Sequence, residues 1–224
     1  MNILVLAPHA DDEVLGCGGV MAKHQADGDS VYVAIMTDAS VGAPEMYTSQ
    51  QIDIVREEAL KAHTVLGVKE TVFFDFPAPR LETFPQYKIA SQLAELIERI
   101  KPQVVYVPHR DDLHLDHGAI YNAALVACRP AAAQSVRDIY AYETLSETEL
   151  GHPRADSMFI PTHFVDVSEY IDKKYAGLNC FASQMRPFPS SRSIEAVEAL
   201  AKLRGATVFV NRAEAFMTVR SIRK

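Results

Sequence analysis

The stretch Ile3-Leu4-Val5-Leu6-Ala7-Pro8-His9-Ala10-Asp11-Asp12-Glu13 sets an unbroken apolar run directly against an imidazole and three carboxylates. A short apolar run rich in branched side chains reads as a strand buried on both faces, the pattern of a parallel sheet. The polar cluster then falls at the strand's carboxyl end, where open α/β sheets form their ligand crevice. Working outward, residues 31–37, 71–74 and 104–107 repeat the apolar run. Amphipathic segments at about 13–27, 52–66 and 86–100 separate these runs, with stops near Gly28, Gly67 and Pro102. This βαβαβαβ alternation predicts a doubly wound, three-layer α/β fold: a Rossmann-like, mostly parallel sheet flanked by helices.

Beyond the fourth run, residues 119–128 predict a further helix, stopped before Pro130. After an ordered segment at 136–142, residues 145–161 are polar and broken by Gly151, Pro153 and Pro161, so they read as a surface excursion near the substrate site. A strand at 163–167 and helices at 169–183 and 193–203 are expected to finish the fold. The 224 residues, 48% hydrophobic and 23% charged, suit a single domain over residues 1–224 with a continuous core.

The net charge of −7 and the lack of a basic run interleaved with aromatics argue against nucleic acid as a partner and favour a small-molecule substrate. Cys17, Cys128 and Cys180 are odd in number and lack CxxC spacing, so they read as buried small hydrophobes. Met1 leads into the apolar run without a basic n-region, and no apolar stretch reaches bilayer-spanning length. No signal peptide and no membrane span are therefore expected, and a reducing, cytoplasmic setting is.

The chemistry concentrates in two clusters. His9 and Asp12, three apart on a tight loop, can converge on one divalent ion, since zinc takes N and O donors. A helix N-terminus also attracts acidic residues. One aspartate would satisfy that role; two adjacent aspartates and a histidine place like charges together in a way that a cation explains better. The second cluster, His109-Arg110-Asp111-Asp112-Leu113-His114-Leu115-Asp116-His117, follows the fourth strand and brings more imidazole to the same sheet edge. If the two strands are neighbours, His9, Asp12 and one of these histidines make the open, three-ligand site of catalytic zinc. His114 and His117 could serve one metal together or divide as ligand and catalytic group.

Pro8-His9-Ala10-Asp11-Asp12-Glu13 and His114-Leu115-Asp116-His117 resemble the PHxDDE and HxDH motifs of the LmbE-like, PIG-L family of zinc-dependent N-deacetylases. Weaker similarity runs through Arg56-Glu57-Glu58-Ala59, Leu66-Gly67, Asp166-Val167-Ser168, Lys174, Ser183-Gln184, Arg204-Gly205 and Ala213-Glu214-Ala215-Phe216, so it covers most of the chain. Ala10 departs from the proline often found there. The resemblance implies His9, Asp12 and His117 as ligands of Zn2+, with Fe2+ possible, and Asp11 as general base. It also implies His114, protonated and supported by Asp116, as the group that stabilises the tetrahedral intermediate, and Arg56 as a substrate contact. The substrate implied is an N-acyl amino sugar, and a homo-oligomer is possible.

Other residues are less eloquent. Arg56 is equally readable as an ordinary solvated or ion-paired helix arginine. His109 and Asp112 are read either as partners fixing a ligand's tautomer or as exposed loop residues. His24, His63, His152 and His163 have no motif context. Residues 38–50 are expected to contact substrate. Two further functions compete: a metal-dependent phosphoesterase, which would use two ions about 3.5–4 Å apart, and a non-catalytic sugar- or nucleotide-binding module. The glycines of Gly16-Cys17-Gly18-Gly19 fit a nucleotide loop poorly, because they lie inside the first helix.

Overall fold

The computed structural model describes residues 1–131 and 134–223. The elements run β1 (Asn2–Ala7), α1 (Asp12–Ala26), β2 (Ser30–Asp38), α2 (Ala39–Gly42), α3 (Ser49–Leu66), β3 (Glu70–Pro77), α4 (Gln86–Ile100), β4 (Val104–Pro108), α5 (Leu115–Ala127), β5 (Asp138–Tyr142), β6 (His163–Asp166), α6 (Ile171–Leu178), α7 (Ile194–Thr207) and β7 (Ala213–Ser221). The seven-stranded sheet has the order β3-β2-β1-β4-β5-β7-β6. Strands β3 to β5 in that order are parallel, whereas β7 is antiparallel to both β5 and β6. The fold is thus α/β with a mostly parallel central sheet.

Strand alternation explains why β1 is apolar throughout. Ile3 and Val5 enter a core with Val33, Ile35, α1 and α3, while Leu4 and Leu6 enter another with Val105, Val107, α4 and α5. Fully burying each such side chain contributes about 1.5–3 kcal/mol before the entropy of ordering is subtracted. Helix α3 is framed by local chemistry: Thr48 and Gln51 form a capping box, and Gly67 ends it in the left-handed conformation.

Three expectations need correction. The chain continues after α7 into β7, which its polar Glu214, Thr218, Arg220 and Ser221 obscure as an apolar run. The helix expected at 169–183 ends at Leu178, with turns following through Met185. The helix expected to stop at 203 runs on to Thr207.

Helix α1 packs unusually close to the sheet and to α6. A Cβ on Gly16 would lie 2.3 Å from the Tyr142 ring, so glycine alone allows that approach. Deeper in, the buried Lys174 and Glu214 pair at 2.7 Å. Lys174 Nζ also donates to the Leu15 carbonyl, and the Gly19 and Val20 amides donate to Glu214. Groups that belong to α1's own ladder are thereby shared with α6 and β7.

Candidate metal centre

Strand β1 has β2 on one side and β4 on the other, so successive connections leave it in opposite directions. The loops after β1 and β4 consequently face each other across the switch point. The first loop carries His9 and Asp11, and α1 opens on Asp12; the second ends at His114, the cap residue of α5, whose first turn holds Asp116 and His117.

Ligand atoms of His9, Asp12 and His117 lie within 4.8 Å of one another. Asp12 Oδ2 is 3.2 Å from His9 Nδ1 and 3.2 Å from His117 Nε2, and it accepts the His9 amide at 2.9 Å. Yet Asp12 Oδ1 and His117 Nε2, both buried, make no aligned hydrogen bond among the described residues. Leaving such atoms unpaired costs about 1–3 kcal/mol each. A buried imidazole nitrogen and a buried carboxylate oxygen without aligned partners are donors of the kind a divalent cation takes. The electrostatics agree. Burial pushes the His9 and His117 rings down, but Asp116 and Asp12 carry His9 up to about 9, and Asp12 and Asp112 carry His117 up to about 10. Burial raises Asp12 too, and the two histidines hold it well below the usual carboxylate range. The cluster therefore demands positive charge, and the residues fit a zinc or iron(II) ion.

A ring of hydrogen bonds fixes these donors. Asp112 Oδ2 accepts from His117 Nδ1 at 2.7 Å, and Asp112 Oδ1 accepts the Thr148 hydroxyl at 2.6 Å. His109, its neighbour, instead approaches the Ser157 carbonyl at 3.0 Å. The Asp116 carboxylate accepts the Leu81 amide at 2.8 Å and sits 3.3 Å from His9 Nε2, but is 3.8 Å from His114 Nδ1. What orients His114 is the Asp116 backbone amide, which donates to Nδ1 at 3.2 Å. That bond leaves the ring proton on Nε2. Burial and the neighbouring His9 push this imidazole down to about 4.

A cavity of about 440 Å³ opens over the cluster, lined by His9, Asp11 and His114 on one side and by Tyr47, Ile52 and Val55 on the other. Asp11 is buried but is outside the three-donor cluster. Burial raises its carboxyl and Arg192 opposes the rise, leaving it at about 8. Arg192 Nη1 pairs with Asp11 Oδ2 at 2.5 Å, Nη1 also donates to Gln184 Oε1, and Nε donates to Ser146 Oγ. Arg56 lines the cavity, while its Nη2 is tied to Asp75 at 2.7 Å and Asp38 at 3.2 Å. Residues 38–50 contribute Ala39 and Tyr47 to the wall, and the 145–161 segment contributes Glu147, which accepts the His114 amide at 3.1 Å.

Sequence reasoning missed Arg192, Glu147 and Thr148, for none of which a local pattern exists. It also passed over His63, which meets Glu13 at 3.0 Å.

The family model described as PIG-L, GlcNAc-PI de-N-acetylase, matches residues 4–128. An uncharacterized deacetylase of Escherichia coli K12, YaiS, is 31% identical over 186 residues, covering 79% of this chain and 88% of its own length. The 4-oxalmesaconate hydratase of Pseudomonas putida KT2440 is 27% identical over 203 residues, covering 82% of this chain and 74% of that protein. Among solved structures, the conserved protein TT1542 from Thermus thermophilus superposes with a TM-score of 0.77 at 26% identity, over 99% of this chain and 96% of that one.

Proposed function

This chain belongs to the PIG-L family, and from that premise we propose that residues 1–224 form one metal-dependent hydrolase domain that removes an N-acyl group, acetyl first, from an amino-sugar-containing substrate. The observation that carries this reading is Asp11: a buried carboxylate beside the His9, Asp12 and His117 donors, outside their cluster, and facing a cavity.

His9, Asp12 and His117 would hold the ion, and the chemistry it would supply is Lewis acidity, which lowers the pKa of water from about 15.7 toward 7. Asp11 takes the proton of the attacking water and returns it to the departing amine nitrogen. Arg192 holds Oδ2 of that carboxylate, leaving Oδ1 for the proton. His114 donates from Nε2 to the carbonyl oxygen as negative charge develops there, a role that a neutral ring performs. Asp116 steadies His9, and Arg56 meets the substrate from the α3 wall.

The test is acetate release from N-acetylglucosamine, its oligomers and glycosides, measured with and without chelator. Failure of the metal-replete protein to turn over any N-acyl sugar removes the proposal. A second reading, water addition to an unsaturated polycarboxylate, is favoured by the hydratase relative and by the two guanidinium groups lining the cavity. It uses the same ion and base, and is followed as loss of the conjugated double bond's absorbance.

A further inference from the structure

We infer that Glu13, His63 and Thr71 form a buried strut that fixes the backbone of Asp11 and so aims its carboxylate. Glu13 is fully buried and His63 is 2% exposed, and neither lines the cavity. Glu13 Oε2 accepts the Asp11 amide at 3.1 Å, and Oε1 lies 3.0 Å from His63 Nε2. His63 Nδ1 lies 2.8 Å from Thr71 Oγ1. One chain of hydrogen bonds therefore joins α1, α3 and β3 to a single peptide group.

That peptide needs holding. Asp11 has φ 126° and ψ −28°, a left-handed region that favours glycine. Its carbonyl is pinned by the Val14 and Leu15 amides, and its amide by Glu13. An aspartate preceding a helix ordinarily folds its side chain back onto the first-turn amides. Asp11 makes no such cap, so its carboxylate is free to meet Arg192 and the cavity. Two buried polar side chains are replaceable by an apolar pair wherever only packing is needed. Here they secure a conformation that an apolar pair cannot. Glu13, His63 and Thr71 are positioning residues, and this role rests on the reading of Asp11 as base.

The experiment is a set of double-mutant cycles. Glu13→Gln, His63→Leu, His63→Gln and Thr71→Val are made in the wild type and in Asp11→Asn, and followed in whichever assay the wild type supports. With Asp11 present, Glu13→Gln and His63→Leu are expected to lower kcat about 10- to 100-fold, with KM and bound metal unchanged. Thr71→Val loses less, and His63→Gln, which keeps a donor for Glu13, recovers most of the loss. In the Asp11→Asn background each substitution changes kcat by less than about twofold. Full-sized losses repeated in that background, or losses explained by missing metal, overturn the strut alone. Wild-type turnover by Asp11→Asn overturns the base assignment and the strut with it. Should Glu13→Gln or His63→Leu fail to fold, Thr71→Val decides: an unchanged kcat overturns the inference.

Discussion

Replacing Asp112 offers a direct measure of how strongly the surroundings of His117 hold the proposed ion. Asp112 is 6% exposed, accepts from His117 Nδ1 at 2.7 Å, and is itself gripped by Thr148 at 2.6 Å. A carboxylate behind a metal-binding imidazole fixes its tautomer and raises its basicity, and its loss typically costs 10- to 100-fold in affinity, or about 1.4–2.7 kcal/mol. The short contact and the dry setting put Asp112→Ala toward the upper end of that range. Asp112→Asn keeps an oxygen for the ring but loses the charge. Because charge-assisted bonds are about twice as strong as neutral ones, about half the free energy goes and the loss is roughly 3- to 10-fold. Thr148→Val, which frees only the far oxygen, loses less than either. Zinc affinity is read by competition against a chromophoric chelator, with thermal unfolding of each metal-free variant measured alongside to separate a folding defect. Alanine and asparagine variants binding zinc within about twofold of wild type, or asparagine binding more weakly than alanine, would refute the reasoning.

Three predictions concern stability. Lys174→Met strands Glu214 in the interior; breaking a buried pair costs about 3–5 kcal/mol. At about 2–4 °C per kcal/mol for a chain of this size, Tm falls by roughly 6–20 °C in calorimetry, and a fall below about 2 °C contradicts the splinting of α1. Glu198, held by Arg212 at 2.7 Å with Tyr175 also in contact, is lowered to about 2, chiefly by the Arg212 hydrogen bond. Its folded pKa lies below the unfolded value of about 4.5, so its contribution is present above pH 4.5 and lost as pH falls toward 2. The stability gap between wild type and Glu198→Gln, about 1 kcal/mol or less, is expected to close across that window in urea titrations; a gap constant from pH 6 to pH 2 counts against it. Gly42→Ala places a Cβ 1.9 Å from the Ala78 carbonyl oxygen, so the cavity wall must shift at a cost of about 1–3 kcal/mol or more. Unchanged denaturant midpoints would show that the wall yields freely.

How far the sequence speaks depends on how local the signal is. The core strands are legible because both of their faces are buried, which leaves runs such as residues 3–7 without polar interruption. The convergence of His9, Asp12 and His117 follows from two local motifs plus one topological rule, since both motifs sit at strand ends flanking the switch point. Arg192 is invisible in the sequence because it reaches Asp11 from 181 residues away and its neighbours form no periodic element. His63 looks ordinary because its partner Glu13 lies on another helix, 50 residues earlier. Strand β7 escapes notice because its outer half is partly exposed and its inner half hides Glu214 among alanines.

The contact between Glu214 and the Gly19 and Val20 amides spans 195 and 194 residues. During synthesis, every element from β1 to α7 leaves the ribosome before that carboxylate emerges. Until then the helix that presents Asp12 has no prop beneath its middle turn, and Lys174 has no counter-ion. Nascent fragments lacking β7 are consequently expected to bind metal poorly and to remain inert, which ties the onset of chemistry to completion of the sheet.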